Sequence, residues 1–225
     1  MSLSSLKLAV FDCDGTLVDS EGSIVAAMHA ACRTFEVKPP AASAIRRMVG
    51  LPLMEVVAGL MPDLAPREVE ELRALYAQEF QGMRRDGLLS EPLFPGVEDV
   101  LDALEGTGWL LGVATGKSRV GLESTLDRHG LRDRFVTLQT ADFARGKPHP
   151  EMLFNAMKDA GADKAATVMI GDTTFDMDMA GNAGVGAVGV SWGYHEADEL
   201  TTRGAHAVAD VFTDLPKLLE EAVGT

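Results

Sequence analysis

Cysteine is nearly absent from this 225-residue sequence, in which only Cys13 and Cys32 occur. Two cysteines cannot form the set of disulfides that stabilises small secreted proteins. The opening residues have no basic segment followed by an apolar stretch, so no signal peptide is predicted. We therefore expect a protein of the reducing cytoplasm.

Basic residues and long apolar runs are also scarce. Lys and Arg number 20 against 34 Asp and Glu, which gives a formal net charge of −14. Such a charge repels a phosphate backbone over most of the surface, so nucleic acid is not expected as a partner. The longest apolar runs, such as GVGAVGV, fall well short of the roughly 18–20 residues of a membrane span, so no membrane association is expected.

The apolar residues that are present are grouped in a regular order. Short apolar runs predict five buried strands, at residues 6–11, 109–114, 135–139, 167–170 and 187–191. Helical patterns lie between the later runs, at residues 118–129 and 150–160, and each is followed by a glycine. This alternation predicts an α/β fold with a Rossmann-like, doubly wound parallel sheet and helices on both faces.

One stretch lacks strands altogether. Helix-like segments punctuated by proline follow one another near residues 20–35, 41–48, 53–60 and 66–84. We therefore predict an α-helical domain over residues 16–89, inserted into an α/β core domain formed by residues 1–15 and 90–225. The loop GLLSEPLFPG at residues 87–96 marks the return to the core.

Two acids stand directly after the first predicted strand. Side chains alternate along a strand, so Asp12 and Asp14 project to the same side while Cys13 points to the other. Two carboxylates that share a small space repel each other unless a cation or a hydrogen-bond donor lies between them. Without such a partner, Asp14-Gly15 is only a turn signal.

Three more polar groups follow later strands. Carboxyl ends of parallel strands meet at one edge of a sheet, where ligands bind. The sequence places these segments there: Thr115-Gly116-Lys117, Gly146-Lys147-Pro148, and Gly171-Asp172 with Asp176. Carboxylates such as Asp12 and Asp172 suit Mg²⁺, and a carboxylate can also attack phosphorus. Thr115 can hold phosphoryl oxygens while Lys147 offsets their charge, so the set fits phosphoryl transfer.

In their order along the chain, four motifs resemble those of the haloacid dehalogenase superfamily: DCDGTLVDS (12–20), ATGK (114–117), GKPHP (146–150) and GDTTFD (171–176). The resemblance is to its phosphatase branch with a helical cap, and within it to phosphoglycolate phosphatase-like and β-phosphoglucomutase-like members. It implies Mg²⁺ as the cofactor and a small phosphorylated metabolite as the substrate.

The resemblance also implies individual roles. Asp12 would be the nucleophile and a metal ligand, Asp14 the general acid and base whose backbone carbonyl also ligates the metal, and Asp172 a further metal ligand. Thr115 would bind the phosphoryl group, Lys147 would hold nucleophile and phosphate together, and Asp176 would orient Lys147 or a metal-bound water.

Substrate contacts are expected from both parts of the chain. In the core they are Gly15, Thr16, Gly116 and Lys117, although a solvated Lys117 is an equal alternative. In the helical domain they are Gly50, which lies in the segment MVGLPLMEVV (48–57) that resembles a specificity loop, and Arg46 and Arg47 just before it. Paired arginines on a helix are usually solvated, and that alternative stays open for these two.

Three functions remain open from the sequence. Asp14 can protonate an oxygen leaving group, which favours hydrolysis of a phosphate monoester. A sugar phosphomutase would instead return the phosphoryl group to a sugar hydroxyl. A receiver-like regulatory module would take up a phosphoryl group without turnover, but such modules lack the DxDGT pattern and the inserted helices. The sequence leaves the substrate undefined and allows a monomer or a homodimer.

Overall fold

The computed structural model describes residues 6–223, which form one parallel sheet with helices on both faces. Its strands are β1 (Lys7–Phe11), β2 (Trp109–Thr115), β3 (Phe135–Thr140), β4 (Thr167–Gly171), β5 (Gly186–Val190) and β6 (Ala207–Ala209). They lie in the order β3-β2-β1-β4-β5-β6, and every neighbouring pair is parallel. The predicted doubly wound α/β fold is confirmed.

Helices occupy both the inserted region and the crossovers between strands. The insert contains α1 (Glu21–Thr34), α2 (Ala42–Arg46), α3 (Leu53–Leu60) and α4 (Pro66–Arg85). The crossovers and the C-terminal region contain α5 (Val97–Gly106), α6 (Arg119–Arg128), α7 (Glu151–Ala160), α8 (Thr174–Ala183), α9 (Ala197–Thr202) and α10 (Leu215–Ala222). None of the helices between residues 6 and 223 combines the length and the apolar character needed to cross a membrane.

The sheet is buried on both sides because its strands are apolar throughout. Phe11 packs into the cluster on one face with α5 and α10, while Val10 packs with α7 and α8 on the other. Central parallel strands covered on both faces require such continuous apolar runs. This burial fixes the strand ends, and with them the loops that carry the polar motifs.

The inserted helices have an apolar cluster of their own. Ile24, Ile45, Val57 and Leu72 are buried among one another rather than in the core of the sheet. A separate core is what a separate folding unit needs. The division into a core domain and a domain at residues 16–89 stays a prediction.

Candidate functional site

Asp12 follows strand β1 directly and lies at the centre of the edge formed by the carboxyl ends of the strands. The backbone N–H of Asp12 donates to the carbonyl of Ile170 at 2.9 Å, which continues the pairing of β1 with β4 by one residue. Asp12 is 1% exposed, and Cys13 lies in the apolar core on the other side, as alternation predicts. The register of the sheet thus brings Asp12 beside the loop that follows β4.

Three carboxylates and one lysine meet at this point. Oxygen atoms of Asp12, Asp172 and Asp176 all lie within 4.8 Å of one another. The Lys147 Nζ contacts Asp12 Oδ2 at 2.7 Å and Asp176 Oδ1 at 2.6 Å, and its side chain is fully buried. Burial would lower the pKa of Lys147, but the two carboxylates outweigh it and raise that pKa, so the ammonium stays charged.

Burial has the opposite effect on the acids. It raises the pKa of Asp12 to about 6; Lys147 opposes the shift and Asp176 adds to it. It also raises the pKa of Asp172 well above its usual value, with the neighbouring carboxylates of Asp12 and Asp176 acting in the same direction. One lysine therefore does not offset the repulsion among three acids, and the cluster favours a further cation.

Hydrogen bonds fix Asp172 in this cluster. Its Oδ1 accepts from the Thr16 hydroxyl at 2.7 Å, and its Oδ2 accepts from the backbone N–H of Tyr194 at 2.9 Å. Gly15 packs against the same carboxylate with φ +83°, where a Cβ would overlap Asp172. Gly15 and Thr16 of the DxDGT segment therefore position a metal-ligand candidate.

The capping of α8 holds Asp176. Its Oδ2 accepts from the backbone N–H of Thr173 at 3.1 Å and from the Thr173 hydroxyl at 2.6 Å. Its other oxygen contacts Lys147. Asp176 thus connects the start of a helix to the lysine that contacts Asp12, and its role in orienting Lys147 or a metal-bound water stays a prediction.

Asp14 lies outside the group of three carboxylates. Its Oδ1 accepts from the Ser20 hydroxyl at 2.6 Å and contacts the Lys117 Nζ at 2.7 Å. The same Nζ contacts Glu91 Oε1 at 2.7 Å, and the Lys117 side chain is only 7% exposed. Lys117 is therefore a buried member of the site rather than a solvated lysine.

Glu91 completes this second charged group. Its carboxylate also accepts from the Thr125 hydroxyl at 3.1 Å and lies 3.4 Å from Arg128 Nη1. Burial would lower the pKa of Lys117, but Asp14 and Glu91, among the neighbouring groups, raise it. Glu91, Ser20 and Tyr194 were not predicted as site residues. The sequence signals that could have indicated two of them are the acid in the loop at 87–96, for Glu91, and the last residue of the first motif, for Ser20.

A cavity of about 320 Å³ opens between these groups and the helical insert. Asp12, Asp14, Thr115, Gly116 and Lys117 line it from the core. Its insert side is largely apolar and includes Ile24, Met28, Ile45, Val49, Tyr76 and Phe80. The volume lies within the range of small-molecule sites, roughly 300–1,000 Å³.

Backbone contacts bring the insert directly onto the core. A Cβ on Gly116 would lie 2.7 Å from the carbonyl oxygen of Gly50 and 2.8 Å from that of Leu51. Gly50 itself has φ +103° and lines the cavity. The predicted segment at 48–57 therefore meets the TGK loop, as expected of a segment that closes over a site.

Arg46 and Arg47 do not belong to the residues that line the cavity. Arg46 pairs with Glu21 of the insert, and Arg47 donates to both carboxylate oxygens of Glu199 in the core, at 2.6 and 2.8 Å. His195 Nδ1 accepts from the N–H of Thr174, which leaves Nε2 to donate to the Arg47 carbonyl at 3.2 Å. These contacts join the insert to the core, and substrate binding by the two arginines stays a prediction.

The donor set fits a hard divalent cation. Asp12, Asp172 and Asp176 provide buried carboxylate oxygens, and no His or Cys belongs to the group found among residues 6–223. Oxygen ligands of this kind suit Mg²⁺ or Ca²⁺ rather than a softer metal. The Asp14 carboxylate contacts Ser20 and Lys117 instead, and metal binding through the Asp14 backbone carbonyl stays a prediction.

Comparison with known proteins agrees with this arrangement. A family model described as "Haloacid dehalogenase-like hydrolase" matches residues 9–190. The chain is 39% identical over 212 residues to "Probable phosphatase IndB" of Dickeya dadantii, covering 92% of this chain and 91% of that protein. It is 30% identical to a phosphoglycolate phosphatase of Xylella fastidiosa, covering 95% and 91%. A solved hydrolase from Pseudomonas syringae superposes with a TM-score of 0.81 at 26% identity, covering 96% and 98%.

Proposed function

The chain belongs to the haloacid dehalogenase-like hydrolases and is a phosphatase of that family, and on this premise we propose that it hydrolyses a small phosphate monoester through an aspartyl-phosphate on Asp12, with Mg²⁺ as the cofactor. One observation carries the proposal. Asp12 and Asp14 both line the cavity, yet Asp12 is bonded to Lys147 and Asp14 to Lys117. Two acids with separate partners suit two separate roles.

In the first step, a carboxylate oxygen of Asp12 attacks phosphorus and the bond from phosphorus to the ester oxygen breaks. Asp14 gives its proton to that oxygen, so an alcohol leaves. Thr115 is buried at the end of β2 and lines the cavity, and its hydroxyl donates a hydrogen bond to a phosphoryl oxygen. Lys147 holds Asp12 in position and offsets negative charge next to it.

In the second step, Asp14 takes a proton from water, the water oxygen attacks phosphorus, and the bond from phosphorus to Asp12 breaks. Inorganic phosphate leaves and both acids return to their starting states. Mg²⁺, held by Asp12, Asp172 and the Asp14 carbonyl, with Asp176 adjacent, would supply positive charge that offsets the phosphoryl charge. The contacts of the insert with Gly116 would exclude bulk water from the reaction.

The relatives and the cavity together support the proposed substrate class. The proteins that match over nearly the whole chain include a phosphoglycolate phosphatase, and the cavity has the volume of a site for one small metabolite. We therefore place phosphoglycolate and sugar phosphates first among the candidates.

The test is phosphate release from a panel of phosphorylated metabolites headed by 2-phosphoglycolate, with Mg²⁺ and then with EDTA. We expect turnover that EDTA removes, and Asp12→Asn is expected to lower kcat at least about 10³-fold. Asp178→Asn is the matched control, because Asp178 pairs with Arg203 away from the cavity. Substantial turnover by the Asp12→Asn enzyme would overturn the mechanism.

A phosphomutase gives a different result in the same assay. With β-glucose 1-phosphate and a bisphosphate primer, it would form glucose 6-phosphate without releasing phosphate. We expect phosphate release to dominate. Transfer without release would replace hydrolysis as the function of the site.

A further inference from the structure

One arginine of the insert has two polar atoms without a bonding partner at the cavity. The Nε and Nη2 atoms of Arg84 are inaccessible to solvent and have no hydrogen-bond partner within residues 6–223. Its guanidinium lies 5.6 Å from the centre of the Phe80 ring, and both residues line the cavity. Buried polar groups are normally satisfied, so a pair of free donors is an exception that needs an explanation.

Arg84 differs in this respect from the other charged side chains of the cavity wall. The charged side chains there are Asp12, Asp14, Arg73, Arg84, Lys117 and Asp142. The carboxylates of Asp12 and Asp14 pair with lysines, and Lys117 is shared between Asp14 and Glu91. Arg73 donates twice to Glu70, and Asp142 accepts from the backbone N–H of Arg119.

The two unpartnered atoms form one edge of the guanidinium. The structure covers both of them, so this edge meets a ligand in the cavity only after the guanidinium turns toward it. The N–H groups of Nε and Nη2 point in parallel, and this spacing matches the two oxygens of a carboxylate. Arg84 offers a single positive charge, and the neighbouring cations of the wall are already paired, so a singly charged group is favoured over a second phosphoryl group. The Phe80 ring and the apolar wall around it would remove water from a bound carboxylate, so its binding would depend on the paired N–H donors of Arg84.

We propose that Arg84 is a specificity-determining residue, whose Nε–Nη2 edge binds a carboxylate carried by the phosphate monoester. The inference rests on the proposed phosphatase function and deepens it, because it names a second charged group that the substrate must have. The phosphoryl group then reacts at Asp12 on the core side, and the carboxylate is held from the insert side. Substrate recognition thus depends on α4, near its C-terminal end at Arg85.

Matched pairs of esters test this directly. Each pair has one acid and its neutral amide of the same shape: 2-phosphoglycolate with 2-phosphoglycolamide, and 4-carboxyphenyl phosphate with 4-carbamoylphenyl phosphate. For at least one pair we expect the wild-type enzyme to prefer the acid about 10- to 100-fold in kcat/KM, the range for a hydrogen bond to a charged group. The preference is expected mainly in KM, because the carboxylate is remote from the reacting phosphorus.

Three variants distinguish binding by the paired N–H donors of Arg84 from a general effect of positive charge. Arg84→Met is expected to reduce the preference to about threefold or less. Arg84→Lys keeps the charge but lacks the parallel donors, so an intermediate preference is expected, and it remains informative if the methionine variant does not fold. Arg85→Met is the matched control, since the Arg85 side chain is 79% exposed and does not line the cavity.

Each outcome supports or overturns the inference. A preference for the acid that disappears in Arg84→Met and persists in Arg85→Met supports it. Equal hydrolysis of acids and amides, an unchanged preference in the Arg84 variants, or a stronger preference for 1,4-phenylene bisphosphate would overturn it while leaving the phosphatase function intact. Failure to hydrolyse any of the esters would instead overturn the proposed function, and this inference with it.

Discussion

Replacing Glu91 by Gln tests whether the buried charges around Lys117 support the fold as well as the site. The Glu91 side chain is 0% exposed and contacts Lys117 at 2.7 Å and Arg128 at 3.4 Å. Removing one partner of a buried ion pair costs about 3–5 kcal/mol, because the remaining charge loses its compensation. Gln keeps the volume and an acceptor for the Thr125 hydroxyl, so we expect a loss near the lower end, about 3 kcal/mol.

The expected change in melting temperature follows from the size of the chain. At 225 residues, 1 kcal/mol corresponds to about 2–4 °C, so Glu91→Gln is expected to lower Tm by about 6–12 °C. Because Lys117 also contacts Asp14, kcat/KM is expected to fall as well. Urea denaturation, differential scanning calorimetry and phosphate release measure the three quantities.

The control is Glu123→Gln, which removes a charge from a pair with Arg119 on the surface of α6. Exposed pairs contribute little, so this variant is expected to keep the wild-type Tm. If Glu91→Gln changes stability by less than about 1 kcal/mol, the reasoning that a buried charge of Lys117 needs both carboxylates is refuted.

Three further predictions concern the acids, the lysine and the closure of the insert. Burial raises the pKa of Asp12 from 3.8 to about 6, so without metal the folded state binds the Asp12 proton more tightly than the unfolded state does. This tighter binding adds about 3 kcal/mol to the free energy of unfolding. The contribution is full below pH 3.8 and is lost as the pH rises to about 6. Urea denaturation in EDTA, taken as the difference between wild type and Asp12→Asn, measures this loss, and a difference that rises with pH would contradict it. Lys147→Met is expected to lower the free energy of unfolding by about 3–5 kcal/mol, because the substitution leaves Asp12 and Asp176 without their cation. The uncompensated charge is also expected to make the increase in Tm with Mg²⁺ larger than in the wild type. Equal increases in a thermal-shift titration would argue against this. Gly116→Ala forces the insert away from the core by overpacking worth about 1–3 kcal/mol, so kcat/KM is expected to fall about 5- to 150-fold. Gly22→Ala, whose added Cβ meets no other part of the protein within 4 Å, is expected to leave kcat/KM unchanged, and similar kinetics in both variants would disprove the role of this contact.

Local signals predicted most of the fold. The strand predicted at residues 135–139 is found at Phe135–Thr140, and the helix predicted at residues 53–60 is found at Leu53–Leu60. Short apolar runs and proline-bounded helical patterns are signals that depend only on neighbouring residues. Strand β6 was missed because Ala207–Ala209 is too short to carry a pattern.

The candidate site was predicted where its residues lie in motifs at strand ends. Asp12, Thr115, Lys147 and Asp172 are all buried at the carboxyl edge of the sheet, and that edge is fixed once the strands are parallel. The arginines of the insert behaved differently, since Arg47 pairs with Glu199 of the core. A charged residue on an amphipathic helix has no sequence signal that tells a partner on the protein from a ligand.

The sequence by itself determined the alternation of strands and helices, the inserted helical block and the acids after the first strand, because each depends on residues close together in the chain. Only the tertiary structure decided which charges meet across it. It paired Lys117 with Glu91, 26 residues away, and it left Arg84 at the cavity wall without a hydrogen-bond partner for Nε and Nη2 within residues 6–223. Such pairings depend on how the insert packs against the sheet, and that packing is a property of the assembled surfaces rather than of any segment.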